Sequence, residues 1–295
     1  MVNDTVLASQ KYKKRSQWAE VWRRMKKNKG AMLGLVLVII IVLIALFSGV
    51  FLDYETDVIG QNISQRLQHP SLQHPMGTDD VGRDVMSRLL YGTRYSLSVG
   101  VVAVIIALVL GITFGSIAGF FGGVVEEVIM RVSDTLAAVP SILMAIAIVS
   151  ALGQSTLNLM LAVGITSVPQ FVRITRAAVL TVRNQEYIEA ARSMGLSEFK
   201  IIWSHVLPNC LSPIIVQTTL RVASAIISAS SLSFLGLGVP APNPEWGGML
   251  SAGRKFIRGY GYLTLFPGLA IMITVLALNL LGDGLRDALD PKLKR

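Results

Sequence analysis

Uncharged apolar stretches long enough to cross a bilayer recur along this chain, and they restrict it to a membrane architecture. A helix needs about 20 apolar residues to span the hydrocarbon core. One such run lies between Lys29 and Asp53, and a second between Arg94 and Glu126. The stretch from Asp134 to Arg173 has room for two, with a turn marked by Gly153-Gln154-Ser155. A fifth follows Pro208 and reaches about Leu235, interrupted only by Arg221, and a sixth lies between Arg258 and Asp283. Lipid offers the backbone no hydrogen-bond partners, so spans like these are helical. The expectation is an all-α membrane protein with six transmembrane helices. Only 15% of the residues are charged, where a soluble domain carries about 25%.

Six spans place both termini on one side, and the basic residues choose which. With the termini in the cytoplasm, 19 Lys and Arg residues lie inside and 7 outside, Arg221 being within a span. That bias predicts a multi-pass protein with both termini cytoplasmic. The predicted division is a cytoplasmic tail over 1–29, a membrane domain over 30–285 and a second cytoplasmic tail over 286–295. The membrane domain carries outer loops at 52–93 and 236–262 and an inner loop at 183–208. The first run is too long for a signal peptide, starts after thirty residues and has no small-residue cleavage site behind it.

The net charge of +9 concentrates before the first span, with nine basic residues between Lys11 and Lys29. This is the pattern of an anchor against membrane lipid, and it leaves no soluble basic domain for nucleic acid. Trp18, Val21, Trp22 and Met25 share one helical face there, which predicts an amphipathic helix lying in the interface plane. In the second outer segment Pro240, Pro242 and Pro244 exclude a regular helix at its start. Trp246, Tyr260 and Tyr262 suit a membrane interface. The lone Cys210 reads as a packing residue, and His69, His74 and His205 are too scattered for a metal site. Asp134 is expected to pair with a neighbour such as Arg131 or to cap its helix, and Asn279 and Asp283 to anchor the end of the last span.

The most informative stretch is the inner loop from Glu186 to Trp203. Helix formers fill Glu186 to Met194, Gly195 can take the left-handed conformation that ends a helix, and Ser197 can cap a new one. Pro208 is expected to close that second helix before the fifth span. Ala190 and Ala191 beside Ile188 and Met194 would let such a helix approach a groove on a partner closely. Composition by itself favours an ordinary solvated loop with incidental helix.

Glu189-Ala190-Ala191, three residues, Gly195, nine residues, His205, one further residue and then Leu207-Pro208 resemble the EAA motif of permease subunits in ATP-binding-cassette importers. His205 departs from the general motif but resembles the peptide-importer branch. The resemblance covers nearly the whole chain. His74-Pro75-Met76-Gly77-Thr78-Asp79, Gly82-Arg83-Asp84, Ser87-Arg88-Leu89 and Tyr91-Gly92 resemble the outer-loop signature of the "C" type permease of dipeptide, oligopeptide and nickel importers. So do Leu232-Ser233-Phe234-Leu235-Gly236-Leu237-Gly238 and Pro244-Glu245-Trp246-Gly247-Gly248-Met249-Leu250. One departure is Ala229, which stands about where many relatives carry a glutamate.

The resemblance implies the type I importer permease fold in a bacterial or archaeal cell membrane. It implies a second homologous permease, two ATPase subunits that bring ATP and Mg, and an extracytoplasmic substrate-binding protein. It implies that this chain holds no cofactor and is not an enzyme. The sequence agrees in lacking a phosphate-cradling Gly-Lys pair, since no glycine precedes a lysine. Coupling to the ATPases would fall to Glu186, Ile188, Glu189, Ala190, Ala191, Arg192, Met194, Gly195 and Leu196. Arg221, Ser228 and Asn279 are candidates for the substrate pathway. Arg221 reads either as a pathway cation that attracts a peptide carboxylate or as an interface contact. The expected cargo is di- and oligopeptides, with nickel or a metal chelate as the alternative. An ion-coupled secondary transporter would instead require paired midplane charges and repeated halves.

Overall fold

The computed structural model describes residues 17–289, with side chains from Ala19 onward. Residues 1–16 and 290–295 of the predicted tails, and the side chain of Trp18, lie outside the described residues. Apart from one antiparallel bridge between Thr78 and Asp84, the regular structure among the described residues is helical.

Helix α1 (Gln17–Lys27) leads into α2 (Lys29–Phe51), where the Asn28 side chain accepts the Ala31 amide at 3.1 Å and caps the span. The amphipathic face predicted for α1 is divided. Val21 and Met25 pack with Ala31 and Ala288, while Trp22 is exposed, with the Lys26 ammonium 5.2 Å from its ring centre. Part of the face expected to meet lipid therefore docks on the bundle.

Among the described residues, five helices are long and apolar enough to cross a membrane. They are α2, α3 (Val85–Phe121), α6 (Thr156–Val182), the run Glu198–Phe234 that ends in α9 (Leu211–Phe234), and α11 (Tyr262–Leu289). The predicted third span is not one straight helix. It divides into α4 (Gly123–Ala138) and α5 (Ser141–Leu152), bent by 89°. Val139 at the break is extended, as the residue before a proline must be, and Pro140 then opens α5. Counting the bent pair as one span gives six.

Two expected boundaries move because charges find partners. Span two begins at Val85, which brings Arg88 and Arg94 into the helix. Arg88 is 6% exposed there and donates to the Val58 carbonyl at 2.9 Å. The fourth span runs past Arg173 and Arg176 to Val182, and both arginines form ion pairs with acids of α4.

The core is set by small residues. Gly111, Gly115 and Gly119 lie at successive i+4 positions of α3 and face Phe171, Thr175 and Val179, spaced alike on α6. A Cβ on Gly115 would sit 2.7 Å from the Val172 carbonyl, and one on Gly119 would sit 2.9 Å from the Arg176 carbonyl. The two backbones are in near contact, as small-residue stripes allow between membrane helices. Val99, Ala103 and Ala107 of α3, Leu159 and Phe171 of α6, Val149 of α5, and Ala225 and Ala229 of α9 form one buried cluster.

Residues 52–84 and 236–261, with α10 (Trp246–Gly253), knit the opposite end. Asp79 pairs with Arg83 at 2.6 Å and Arg88 at 3.7 Å. The Tyr54 and Tyr95 hydroxyls both donate to the Asn243 side-chain oxygen, and the Tyr262 hydroxyl lies 2.8 Å from the Gln68 carbonyl. Trp246, expected at the interface, is 3% exposed and donates from Nε1 to the Leu89 carbonyl at 3.0 Å. Its polar edge has a protein partner, so the ring is drawn inward. Glu245, 2% exposed, caps α10 by accepting the Gly247 and Gly248 amides at 2.9 and 2.8 Å. Burial pushes its carboxyl above the ordinary range despite these bonds.

Two outcomes follow from this packing. Gly115→Val forces the α3 and α6 backbones apart and lowers stability by about 1–3 kcal/mol, measured by thermal unfolding in detergent. Glu245 holds its proton to a higher pH when folded than when unfolded. The native state therefore binds more protons in that interval, and stability falls as pH rises through it. Glu245→Gln flattens that slope, read from melting temperatures across pH.

Candidate functional site

The 183–208 loop forms the helix and glycine turn expected over Glu186–Gly195 and packs against the bundle. Helix α7 (Glu186–Ser193) ends at Gly195, whose φ is +79°. The Gly195 amide donates to the Arg192 carbonyl at 2.9 Å and the Leu196 amide to the Ala191 carbonyl at 3.3 Å. Those two bonds are the Schellman closure that a left-handed glycine permits. Ser197 stands at the start of α8 (Glu198–Ile201), but its side chain makes no capping bond.

Among the predicted coupling residues, Ile188 (0% exposed) and Ala191 (1%) turn inward, and Leu196 is half-buried. They join Phe120, Val179, Ile201, Val206 and Ile214 in one apolar cluster. Glu186, Glu189, Ala190, Arg192, Met194 and Gly195 remain exposed. Arg192 stacks 5.1 Å from the Phe120 ring centre and pairs with Glu198 at 3.3 Å, which ties α7 to the end of α3 and to α8. Tyr187, Phe199 (70% exposed) and Trp203 (73%) extend the outward surface and were not singled out from the sequence. Their signal was the i, i+4 placement of Phe199 and Trp203 on a face with no internal cover.

Pro208 does not end the second helix. Beyond Ile201 the chain widens into a π-turn over Ile202–Val206, tightens into a 3₁₀ turn over Leu207–Cys210, and enters α9. The Leu207 amide reaches back to the Ile202 carbonyl, and the Asn209 side chain donates to the His205 carbonyl at 2.7 Å. These bonds accommodate the N–H that proline lacks, so the helical path runs from Glu198 to Phe234. Cys210, 1% exposed, fills the packed side of this rod.

A second feature lies at the break between α4 and α5. A groove of about 580 Å³ is lined there by Pro140, Pro169, Gln170, Arg173 and Arg221, among others. Asp134 pairs with Arg173 at 2.7 Å rather than with Arg131, which reaches only Glu127 at 3.9 Å. Arg221 is half-buried. Neither of the other two predicted pathway residues lines this groove. Ser228 is exposed on α9 and Asn279 is exposed on α11. Gln217, Arg221, Ser224, Ser228 and Ser231, at alternating spacings of four and three, form one polar face along α9. Ala229, at 3% exposed, belongs instead to the packed core.

The bundle, its broken third span and its packed loop define a polytopic membrane protein. Residues 111–295 match the family described as binding-protein-dependent transport system inner membrane component. Residues 16–70 match the N-terminal TM domain of oligopeptide transport permease C. The dipeptide transport system permease protein DppC of Alkalihalophilus pseudofirmus is 48% identical over 95% of this chain and 91% of its own length. The glutathione transport system permease protein GsiD of Pectobacterium atrosepticum is 42% identical over 95% of this chain and 93% of its own. A structure of the MetNI methionine ABC transporter, in an inward-facing conformation, superposes with a TM-score of 0.57 and 16% identity. That match covers 70% of this chain and 97% of the other, and it shows a shared fold. The chain belongs to the binding-protein-dependent permease family, the membrane subunits of ATP-binding-cassette importers.

The two faces of α7 separate by mutation. Ile188→Ser removes a fully buried side chain and lowers the thermal stability of the isolated chain, by about 2–4 kcal/mol. Ala190→Asp lies on the exposed face and leaves that stability within about 0.5 kcal/mol.

Proposed function

We propose that this chain forms one half of a translocation pathway for di- and oligopeptides and that the 183–208 loop transmits work from separate ATPase subunits. A second homologous permease completes the pathway, and an extracytoplasmic binding protein delivers the cargo. ATP and Mg belong to the ATPase subunits. In this reading both termini and the loop lie in the cytoplasm. The domain division follows: tails at 1–29 and 286–295 flank a permease domain at 30–285.

The observation that carries the reading is the build of the loop. Helix α7 presents exposed Glu186, Tyr187, Glu189, Ala190 and Met194 while its inner face is fixed to the bundle. An exposed helix held this firmly receives a partner's displacement and passes it to the spans. The rod from Glu198 to Phe234 continues that path through the membrane. The cargo class is supported by relatives named for dipeptide, di/tripeptide and glutathione transport at 42–48% identity. Glutathione is itself a tripeptide.

Two measurements test the reading. Affinity purification of this chain from its native membrane is expected to bring two ATPase subunits and a second permease. Recovery of a homo-oligomer without ATPases would reject it. Gly195→Val strains a residue at φ +79°, where no Cβ contact obstructs but the backbone disfavours a branched side chain. The assembled variant is expected to keep ATPase activity and lose most peptide uptake in proteoliposomes. Unchanged uptake would remove the coupling role from this turn.

A further inference from the structure

Two guanidinium groups line one groove, and only one is neutralised by the protein. Arg173 of α6 is held by Asp134 of α4 at 2.7 Å. Arg221 of α9 has no hydrogen bond or ion pair among the described residues. A cation at this depth in a span is costly unless water or a counter-charge satisfies it. The groove therefore carries one uncompensated positive charge.

The surroundings add polar capacity without a second acid. Gln170 offers both a donor and an acceptor beside Arg173. Pro169 within α6 supplies no N–H, so the Ile165 carbonyl loses its usual helical donor at this level. Pro140 shapes the opposite wall where α4 and α5 diverge by 89°. From Arg221 the α9 face continues through Ser224, Ser228 and Ser231. Ser224 and Ser231 satisfy their hydroxyl protons on the carbonyls of Leu220 and Ile227, which leaves their oxygens as acceptors toward the open side.

We infer that Arg221, assisted by Gln170, receives the terminal carboxylate of the peptide as it crosses the half of the bundle nearer the 183–208 loop. This rests on the peptide-import reading above. A linear peptide carries a terminal α-carboxylate whatever its side chains, so a site that reads this group accepts varied cargo. A guanidinium presents a planar pair of donors that matches a carboxylate in a way a lysine does not. Asp134 has a separate task. It occupies Arg173 and keeps the groove at a single positive charge, so that the carboxylate is held at one point and can leave.

The test uses the complete transporter, with both permeases, both ATPases and the binding protein, in proteoliposomes. Uptake of dialanine is compared with uptake of its C-terminal amide, each at a concentration that saturates the binding protein. Arg221→Gln is expected to lower dialanine uptake about tenfold and to leave amide uptake within about twofold, while loaded binding protein still stimulates the ATPase. Arg221→Lys keeps the charge without the fork and is expected to fall between wild type and Arg221→Gln. Equal loss of both substrates, or loss of neither, overturns the assignment of Arg221. A wild-type transporter that hydrolyses ATP yet takes up neither compound would instead reject peptide import itself, and the subsite with it.

Discussion

The contact between α3 and α6 is the one on which the rest of the molecule depends. Lipid gives apolar side chains no reason to leave it, so helices in a bilayer associate through close packing and polar contacts. Gly111, Gly115 and Gly119 let α3 approach α6 until their backbones nearly touch. That approach fixes the rotation of α6. With Phe171, Thr175 and Val179 toward α3, Arg173 is turned away to reach Asp134 on α4. Phe120, one residue beyond the last glycine of the stripe, enters the apolar seat of the inner loop. The loop and the groove are therefore both positioned by a stripe of residues with no side chain.

The broken third span is the second consequence of backbone chemistry. An extended Val139 before Pro140 turns α4 out of line with α5, and α4 is then held to α6 by the Glu126–Arg176 and Asp134–Arg173 pairs. The groove exists because a helix stops where a straight span would have filled the space. Pro169 stands on the facing helix at the same groove. Two prolines with Gln170, Arg173 and Arg221 thus line a polar recess in an apolar bundle.

Hydropathy located the spans because the cost of an unsatisfied backbone in lipid leaves few alternatives to helices. The loop was legible through Gly195 and the Glu189-Ala190-Ala191 spacing, since a left-handed turn and small residues each need particular side chains. What the sequence hid were properties that depend on partners distant along the chain. Arg88, Arg173 and Arg176 read as loop residues until Val58, Asp134 and Glu126 were brought beside them. Trp246 read as interfacial until Leu89 supplied an acceptor for its indole N–H. Pro208 read as a stop because the preceding π-turn, which carries the helix past it, has no strong sequence mark. The spacing of Gly111, Gly115 and Gly119 gains its meaning only from the facing helix.

The proposed mechanical coupling would depend on how the loop is divided. The joint at Met194–Ser197 is the one non-helical break between α7 and the rod that begins at Glu198. A free joint there would absorb any push on α7. It is not free, because Ile188 and Ala191 on one side and Ile201, Val206 and Ile214 on the other share a single apolar cluster. Arg192 and Glu198 close a further contact across the joint. Helix α7 and the start of the rod are therefore packed as one unit. From Ile201 to Arg221 the rod climbs about 30 Å at 1.5 Å per residue. Over that length a small tilt at the loop becomes a displacement of the polar α9 face relative to α4 and α6. On the proposed reading, the packing that holds the loop to the rod would pass its displacement to the groove at Arg221.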